Sequence, residues 1–495
     1  MTTTGSTSAI DPAEPAAPAA GSLYRTFWRW HFFAGLFVVP VLAILCLSGL
    51  VWLFKPQIWS LQYGDLQHVT PAATTATYED REQAVLAAHP DATLVAVYTP
   101  ADATRSTIFD IAAADGRELM VYVDPYRGTV LGEVDKSTDL PSIALELHGS
   151  LMTGRWLGNE AIGDGFVEIV AGWGVVLLIT GSYLWWPRGR GLRRALAVRG
   201  PSGRRTFWRD LHAVTGVLFS FVTLFFLLTG MAWTGVWGPN YLSVASSALG
   251  GTPEVETTST TVGELLPNGR SAWAFGNQPI PASAPPGAVG APLSWDPARG
   301  APLDAVVAVG QQLVIRDGLS LYYPEDETGS YLATSWEDGP QQPNRSATDV
   351  HIAYIDQYAA TPISQYGFAD LGWLSKSTNV GIALHEGREF GTVNQILSAI
   401  GALALLVSLA SAVVMWRRRR PTGIGAPRKV PSRTLGFGLL LVIAMLGILF
   451  PLLGASILAV LVLDTLVVQR VPALARAFGT APNGGDRHPR GRRAA

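Results

Sequence analysis

The chain has 495 residues, of which 48% are hydrophobic and only 15% are charged. It is too long for one compact domain and too apolar for an ordinary soluble protein, so the composition predicts a membrane protein. Lys and Arg number 36 against 38 Asp and Glu, a balance that gives no basic excess pointing to a nucleic-acid partner. The single cysteine, Cys46, excludes an intramolecular disulfide and any cysteine-based zinc or iron–sulfur site within one chain.

Charge-free apolar runs long enough to cross a bilayer occur at four places in the chain. A helix needs about 20 apolar residues to cross about 30 Å of hydrocarbon. A fifth apolar stretch is too long for one crossing and contains Phe450-Pro451, so it predicts a tight helical hairpin. We therefore expect an α-helical polytopic membrane protein with six spans: a four-helix core at 25–54, 166–187, 210–237 and 391–416, and two more in a C-terminal hairpin at 434–470.

The distribution of charge predicts the orientation of the chain in the cytoplasmic (cell) membrane. The long connections Lys55–Glu168 and Gly238–Glu389 hold 13 Lys and Arg against 33 acids, whereas the rest of the chain holds the other 23 basic residues. Segments rich in Lys and Arg stay in the cytoplasm, so both termini are expected inside. The inner segments are a disordered tail at 1–24, basic loops at 188–209 and 417–433, and a tail at 471–495.

Each long outer loop is expected to hold a small α+β module, in which one helix precedes three short runs with strand character. An Asp-x-Tyr sequence after the last strand is interpreted as a turn former, and a linker rich in Thr, Pro and Gly precedes the second module. The first module, in loop 55–165, has its helix at Tyr78–Ala88, strands at Thr93–Tyr98, Ser106–Ala112 and Leu119–Val123, and its turn at Asp124-Pro125-Tyr126. The second, in loop 238–390, has its linker at 250–300, a helix near Leu303–Ile315, strands near Ser320–Tyr323, Tyr331–Ser335 and Val350–Ile355, and its turn at Asp356-Gln357-Tyr358.

The two halves of the chain repeat each other around histidines. His31 is followed by a glycine after four residues, by a second glycine after eighteen and by a tryptophan after twenty-one, and His212 is followed by the same residues at identical spacings. His148 and His385, which precede the second and fourth spans, match more loosely. The chain is thus a tandem duplication, with four of its eight histidines in equivalent places. The matching residues are Gly35, Ser48-Gly49 and Trp52 in the first half and Gly216, Thr229-Gly230 and Trp233 in the second.

The four repeated histidines are candidate ligands. An imidazole within or at the edge of a bilayer is costly unless it finds a partner, and a metal can be that partner. His31 and His212 begin their spans on the cytoplasmic side and should share one depth, while His148 and His385 lie at the outer edge. Histidines on separate helices, with no thiolate and no carboxylate pair at helix spacing, suit axial ligation of haem iron better than a hydrolytic zinc site.

Glycines near these histidines are read in two ways. Gly35 and Gly216 lie one turn after the first histidine of each half, where a missing side chain would let a flat macrocycle approach the helix. Gly49 and Gly230 are interpreted as helix-packing positions. The competing interpretation of each histidine is an interfacial residue bonded to a backbone carbonyl, and duplication at fixed spacing favours ligation over it. The other histidines are three expected on the surface and one candidate on a strand: His68, His89 and His488, and His351.

Six motifs follow one another along the chain: Trp28-Arg29-Trp30-His31, Tyr122–Gly132, Leu147–Leu151, Gly181–Arg188, Asp210–Gly216 and Gly381–Gly391. Together, over residues 28–420, they resemble the PepSY-associated transmembrane family of bacterial iron-regulated membrane proteins. The resemblance implies that the outer modules are PepSY domains, similar to those of protease propeptides. The better-understood members of that family are haem b proteins of the cytoplasmic membrane that reduce ferric siderophores. The resemblance therefore implies two haem b groups whose iron has His31, His148, His212 and His385 as axial ligands.

Two positions depart from the family pattern, and both concern the outer surface. Ala360 stands where a glycine is expected to close the turn after Asp356, and Gly149 stands where a basic residue is usual. No residue is assigned a catalytic role.

The expected function is an oxidoreductase that transfers electrons across the membrane. An electron would enter from a cytoplasmic donor or the quinone pool, pass from the His31 and His212 level to the His148 and His385 level, and leave to a ferric siderophore or other Fe(III) chelate. No Gly-rich dinucleotide fingerprint follows a strand, so the donor is expected to be separate. The acidic outer loops favour a neutral or cationic chelate.

Two other classes of function remain open on the sequence. One is a non-enzymatic membrane-anchored PepSY protein that inhibits a peptidase or senses a ligand, which predicts no bound chromophore. The other is a haem or metal transporter, which predicts turnover of its ligand without redox chemistry. A Ser/His/Asp, HExxH or P-loop pattern that would support a hydrolase or an ATPase is not found in the sequence.

Overall fold

A computed structural model of the chain describes residues 20–188, 191–200, 205–247, 257–261, 279–283, 300–314, 318–335, 345–419, 424 and 437–480. Several predicted segments therefore lie wholly or mostly outside the described residues: the N-terminal tail up to residue 19, most of the linker 250–300, most of the basic loop 417–433, and the C-terminal tail from residue 481. The first helix begins at Ala20, within the predicted tail 1–24.

Helices account for most of the described residues. In chain order they are α1 Ala20–Leu53, α2 Lys55–Gln67, α3 Tyr78–Ala88, α4 Leu140–Ser150, α5 Thr153–Leu157, α6 Glu160–Trp185, α7 Leu192–Ala195, α8 Arg205–Leu218, α9 Ser220–Met231, α10 Trp237–Ser247, α11 Leu303–Val314, α12 Trp373–His385, α13 Gly391–Arg419, α14 Phe437–Leu449, α15 Pro451–Leu463 and α16 Pro472–Ala477. Side-chain caps define several starts: Thr77 and Asp80 form a capping box at α3, Asp139 caps α4, and Asn159 caps α6.

Four helical stretches are long and apolar enough to cross a membrane: Leu23–Leu53, Glu160–Trp185, Gly391–Arg419 and Pro451–Val468. The third predicted span, 210–237, is a bent pair, because α8 and α9 meet at 58° and α9 ends at Met231. At the bend Phe219 leaves the helical conformation, and the Ser220 hydroxyl donates to the carbonyl of Val217, a local bond of the kind that competes with the helix ladder. Together with the apolar composition, these helices describe a multi-pass membrane protein.

The predicted hairpin turns at Phe450 and Pro451, where α14 ends and α15 begins. The two helices approach closely beside the turn, since a Cβ on Gly454 would lie 2.6 Å from the carbonyl oxygen of Gly447. A π-helical turn, Asp464–Val468, extends α15 to the length of a span. The described part of α14 has only 13 residues, which at about 1.5 Å per residue is shorter than the hydrocarbon thickness.

The two outer modules join into one antiparallel sheet of eight strands, with the order β10-β9-β8-β7-β1-β2-β3-β4. The two predicted modules meet where β1 of the first pairs directly with β7 of the second, a contact that the sequence did not indicate. A separate two-stranded sheet, β5 with β6, precedes α11. The strands are β1 Thr93–Tyr98, β2 Thr107–Ala112, β3 Glu118–Asp124, β4 Thr129–Asp135, β5 Thr257–Thr261, β6 Pro279–Pro281, β7 Ser320–Tyr322, β8 Ser330–Thr334, β9 His351–Asp356 and β10 Pro362–Gly367.

Each module has four strands where three were predicted, and the missed strands, β4 and β10, form the two edges of the sheet. An edge strand is paired on one side only and is more exposed, so its apolar pattern is weaker. In β4 exposed and half-buried residues alternate, and β10 begins with Pro362, a residue typical of an edge.

The sheet has two buried faces. One packs against α3 and α11, with Val85 and Val306 in its core. The other faces the membrane helices and carries tyrosines, among them Tyr98, Tyr122 and Tyr354, which pack against residues such as Trp233 and Ile382. Because Ile382 lies in α12, the helix that ends in His385, this second face places the sheet beside that histidine.

The Asp-x-Tyr sequences are turn formers, as predicted. A carboxylate oxygen of Asp124 accepts from the backbone N–H groups of Tyr126 and Arg127, and Asp356 accepts from those of the equivalent residues. Gly128 closes the first turn with φ +64°, and Ala360 closes the second with φ +49°. The alanine that departs from the family pattern therefore adopts the left-handed conformation that favours glycine.

Candidate functional site

The first histidine of each half forms a pair, which we call the far-side pair because it lies away from the sheet. The ring centroids of His31, in α1, and His212, in α8, are 6.2 Å apart and the rings are inclined by 67°. The Nδ1 atom of His31 lies 3.0 Å from Thr180 Oγ1 in α6, and that of His212 lies 2.9 Å from the carbonyl oxygen of Ser408 in α13. Each Nδ1 therefore donates to a neighbouring helix, which leaves Nε2 as the ligating atom.

The other two repeated histidines form the sheet-side pair. His148, in the last turn of α4, and His385, the last residue of α12, have ring centroids 6.3 Å apart with the rings inclined by 82°. Nδ1 of His148 lies 2.8 Å from the carbonyl oxygen of Leu45, and Nδ1 of His385 lies 2.8 Å from Thr229 Oγ1. Again each Nδ1 atom faces an oxygen atom of a neighbouring helix, so Nε2 is the atom of each ring that could ligate a metal.

The separation within each pair fits one metal ion held between two imidazoles. A metal–imidazole bond is about 2 Å long and the nitrogen lies about 1.1 Å from the ring centre, so axial imidazoles on one ion have centroids about 6.2 Å apart. The observed separations are 6.2 Å and 6.3 Å. Groups of three or more His, Cys, Asp or Glu side chains able to hold a metal by themselves are not found among the described residues. The donor set therefore suits an ion whose other ligands come from a macrocycle.

A hydroxyl residue followed by glycine cradles three of the four rings. The hydroxyls of Ser48, Thr180 and Thr229 lie within 3.3 Å of the Nδ1 atoms of His148, His31 and His385. An added Cβ on the next residue would lie 2.9 Å from the ring at Gly49, 3.1 Å at Gly181 and 3.4 Å at Gly230. Each of these glycines lets a histidine ring approach the helix closely.

Gly49 and Gly230 were interpreted as helix-packing positions, and the structure places them against the histidine rings instead. The repeated Ser48-Gly49 and Thr229-Gly230 spacing was the signal that could have identified them. Sequence reasoning also missed Thr180 and Ser408, which lie on the partner helices. Gly35 and Gly216, predicted to contact a cofactor, have Leu177 and Ser408 of neighbouring helices as their nearest side chains. Their role toward a macrocycle stays a prediction.

A buried carboxylate fixes the helix that carries His148. Asp139 is fully buried, caps α4 by accepting from the backbone N–H of Ser142, and also accepts from the indole N–H of Trp59 and the hydroxyl of Tyr63 in α2. Burial and the nearby carboxylate raise the pKa of Tyr63 to about 12, so the phenol stays protonated and donates. The corresponding start of α12 has Gly372, which offers no side-chain cap.

A cavity of about 350 Å³ extends from the sheet-side pair to the underside of the sheet. Trp233 and Phe226, whose rings lie 5.7 Å and 5.0 Å from His385, line its membrane end. Histidines aside, Lys136 is the one basic residue among the described residues that line it, and it forms a 2.7 Å ion pair with Asp110. The acidic lining residues are Asp110, Glu118, Glu146, Glu160 and Glu386. The cavity thus offers an acid-rich chamber beside one histidine pair.

One buried acid within a membrane helix has a structural role that the sequence did not reveal. Glu168, in α6, is 1% exposed and accepts from the backbone N–H groups of Val236 and Trp237 at 3.0 Å. These groups start α10, after the non-helical segment that carries Trp233. Glu168 therefore braces the end of the bent span beside the sheet-side pair.

The unrepeated histidines stand apart from both pairs. His351, the candidate on a strand, lies in β9 with Nδ1 3.2 Å from the carbonyl of Asp349. His89 forms a 2.8 Å pair with Glu133 on the sheet. His68 makes a β-bridge with Arg105, and His488 lies outside the described residues.

Comparisons with known proteins agree with this architecture. A search among curated proteins returned no significant match. A family model described as the PepSY-associated TM region matches residues 28–419, a stretch that contains all four paired histidines, the sheet, most of α1 and the helices from α2 to α13. Because the match covers well over half of the chain, the protein belongs to the PepSY-associated TM region family.

Proposed function

We propose that the protein carries electrons across the cytoplasmic membrane by means of two haem b groups and reduces a ferric siderophore, or another Fe(III) chelate, on the outer side. The observation that carries this proposal is the geometry of the two histidine pairs. In each pair the two rings lie at the centroid separation expected of two imidazoles that hold one iron, and each Nδ1 faces an oxygen atom of a neighbouring helix. Two such pairs at different levels of one helix bundle are what a transmembrane electron path requires.

His31 with His212, and His148 with His385, would each hold one haem. Haem bound there would supply one-electron redox chemistry, with the two histidines of each pair as its protein ligands. The chain's own residues orient the rings through Nδ1 and surround them with apolar helices that exclude water. Gly49, which touches the ring of His148, lies eighteen residues after His31 in the same helix. About 27 Å of helix therefore separates the two levels.

The acid-rich cavity supports the sheet side as the place where electrons leave. It lies beside His148 and His385 and is lined by five carboxylates against Lys136. Carboxylates attract cations and repel anions, so a neutral or cationic Fe(III) chelate is the preferred substrate. Reduction would release the iron because hard oxygen ligands hold Fe(II) less tightly than Fe(III).

Electrons would enter at the far-side pair. The far-side histidines lie near the arginine-rich ends of α1 and α8, which the charge distribution assigns to the cytoplasm. A separate cytoplasmic donor protein or the quinone pool would supply them, because the sequence carries no nucleotide-binding fingerprint of its own.

The deciding experiment is a reduced-minus-oxidised absorption spectrum of the full-length protein purified after expression with adequate haem. We expect b-type bands in the wild type, a partial loss in His31→Ala or His212→Ala, and a complementary partial loss in His148→Ala or His385→Ala. Combining one substitution from each pair should remove the bands. His89→Ala, a substitution outside both pairs, serves as the control and should leave the spectrum unchanged.

A colourless wild-type protein would overturn the proposal and favour the membrane-anchored PepSY protein without a cofactor. Bands that survive the removal of both pairs would show that other residues hold the haem. Transport of haem across a vesicle membrane by the protein, together with no reduction of an Fe(III) chelate when a reductant is supplied, would be two results that favour the transporter.

A further inference from the structure

The oxygen atoms that hold the four Nδ1 positions are of two chemical kinds. His212 and His148 donate to backbone carbonyls, those of Ser408 and Leu45, at 2.9 Å and 2.8 Å. His31 and His385 lie instead 3.0 Å and 2.8 Å from threonine hydroxyls. His148 and His212 also have a serine hydroxyl near Nδ1, that of Ser48 at 3.3 Å and that of Ser408 at 3.1 Å. Each pair therefore combines one histidine bonded to a carbonyl, with a serine hydroxyl farther away, and one bonded to a threonine hydroxyl.

The threonine hydroxyls are oriented to accept from the histidines. Thr180 Oγ1 donates to the carbonyl of Val176 at 2.7 Å, and Thr229 Oγ1 donates to that of Phe225 at the same distance. Since each hydroxyl hydrogen is used within its own helix, the oxygen lone pairs face the imidazole. The Nδ1 atoms of His31 and His385 must then carry hydrogens, which fixes the tautomer with a free Nε2.

An acceptor on Nδ1 changes the chemistry of Nε2. It draws the hydrogen away from the ring and makes the imidazole a more basic ligand. A more basic axial ligand stabilises Fe(III) relative to Fe(II) and so lowers the reduction potential. The hydroxyl also holds the ring at one angle, because a buried N–H without an acceptor is costly.

We propose that Thr180 and Thr229 are positioning residues that lower the reduction potentials of the far-side and sheet-side sites separately, by accepting the Nδ1 hydrogens of His31 and His385. The inference rests on the proposed haem binding. It adds that a different threonine hydroxyl lowers the reduction potential at each level of the electron path, that of Thr180 in α6 and that of Thr229 in α9.

The test is a potentiometric titration of the full-length protein, followed in the b-type bands, for Thr180→Val, Thr229→Val and the double variant. Valine keeps the shape of threonine and removes the acceptor. We expect one of the two reduction potentials to rise in Thr180→Val, the other to rise in Thr229→Val, and both to rise in the double variant. Thr180→Ser and Thr229→Ser, which keep the hydroxyl, should restore wild-type values.

Thr465→Val is the matched control, because the Thr465 hydroxyl makes the same bond to the carbonyl four residues earlier, in α15, away from both pairs. Both potentials should stay unchanged in it. Unchanged potentials in the valine variants, or serine variants that shift as far as the valine variants, would overturn the inference while leaving haem binding intact. A wild type without haem bands would instead defeat the proposed function. If a valine variant loses one haem and its serine variant keeps both, the hydroxyl holds the ligand as inferred.

Discussion

Neither half of the duplicated chain forms a histidine pair from its own residues. The far-side pair takes His31 from the first half and His212 from the second, and the sheet-side pair takes His148 and His385 in the same way. The outer sheet is built alike, because β1 of the first half pairs with β7 of the second. The candidate sites and the sheet are thus both interfaces between the halves.

Away from the rings the two halves differ. The helix that carries His148 is capped by buried Asp139, whereas the one that ends in His385 starts at Gly372 without a side-chain cap. The first span of one half is a single helix, and that of the other bends by 58°. The halves therefore agree in the groups that meet the imidazoles and differ in how those groups are supported.

Removing the cap of α4 should have the largest effect. In Asp139→Ala the donors of Trp59, Tyr63 and Ser142 lose a buried acceptor, so we expect a loss of about 3 kcal/mol in the free energy of unfolding. Amide hydrogen exchange in α4 of the full-length protein measures it. Asp135→Ala removes a carboxylate that makes an exposed hydrogen bond with the N–H of Ser137. It should change the free energy of unfolding, measured by the same exchange, by less than about 0.5 kcal/mol. Equal effects of both substitutions would contradict a special role for the buried cap.

The glycines against the rings should respond differently in the two halves. A Cβ on Gly49 would lie 2.9 Å from His148, whereas one on Gly230 would lie 3.4 Å from His385, an ordinary contact. We expect Gly49→Ala to displace its ring and weaken haem binding at the sheet-side pair by about 10- to 100-fold, the range typical of altered support around a metal ligand. Gly230→Ala should stay near wild type. Haem titration of the apoprotein measures both affinities, and equal losses would show that ring contact is not the cause.

Much of the membrane part could be predicted from the sequence. Hydrophobic runs located the four long apolar helices and the bent pair, whereas the described helix of the fifth predicted span has only 13 residues. Repeated spacing placed His31 with His212 and His148 with His385 at common levels, because both signals are local and periodic. The bend at Phe219 was missed, since no proline or glycine lies there to mark it. That the histidines bind haem stays a prediction.

The outer sheet was predicted less completely, for a physical reason. Strand pairing joins residues that are distant in sequence, so nothing local to β1 shows that β7 lies beside it. The edge strands β4 and β10 lack the apolar pattern that marked their neighbours. Thr180 and Ser408 were missed in the same way, because their partners lie on other helices and a single hydroxyl within an apolar run resembles a packing residue.

A proton shared between the halves should make the outer sheet sensitive to pH. Asp304, at the start of α11, accepts from the backbone N–H groups of Tyr78 and Glu79 at the start of α3, and Asp304 N–H donates to the Glu79 carboxyl. Burial, and then the hydrogen bond with Asp304, raise the pKa of Glu79 to about 7. A carboxyl whose pKa is raised by folding stabilises the fold while it is protonated, so that stability is lost as pH rises through about 7.

We therefore expect the contact between α3 and α11 to weaken as pH rises from about 4.5, the ordinary pKa of a glutamate, to about 7, the raised pKa of Glu79. Glu79→Gln should remove much of this change, because the amide donates to Asp304 at every pH. Amide exchange at the starts of the two helices, corrected for the intrinsic pH dependence, is the measurement. Wild type and Glu79→Gln responding alike would show that the proton is not shared.

The smallest effect concerns the two turns that follow β3 and β9. Ala360 has φ +49° and Gly128 has φ +64°, a region where a side chain costs about 1 kcal/mol. Ala360→Gly should relieve that strain, partly offset by the greater freedom of glycine in the unfolded chain, and raise the free energy of unfolding by about 0.5 kcal/mol. Gly128→Ala should lower it by about 1 kcal/mol or more, because the new Cβ would also lie 3.1 Å from Ala76 Cβ. Denaturant unfolding of the two variants beside the wild type shows whether glycine is the more stable residue in both turns. If Ala360→Gly destabilises the protein, the contacts of the methyl group outweigh the backbone strain, and the second half has adapted its packing to the alanine.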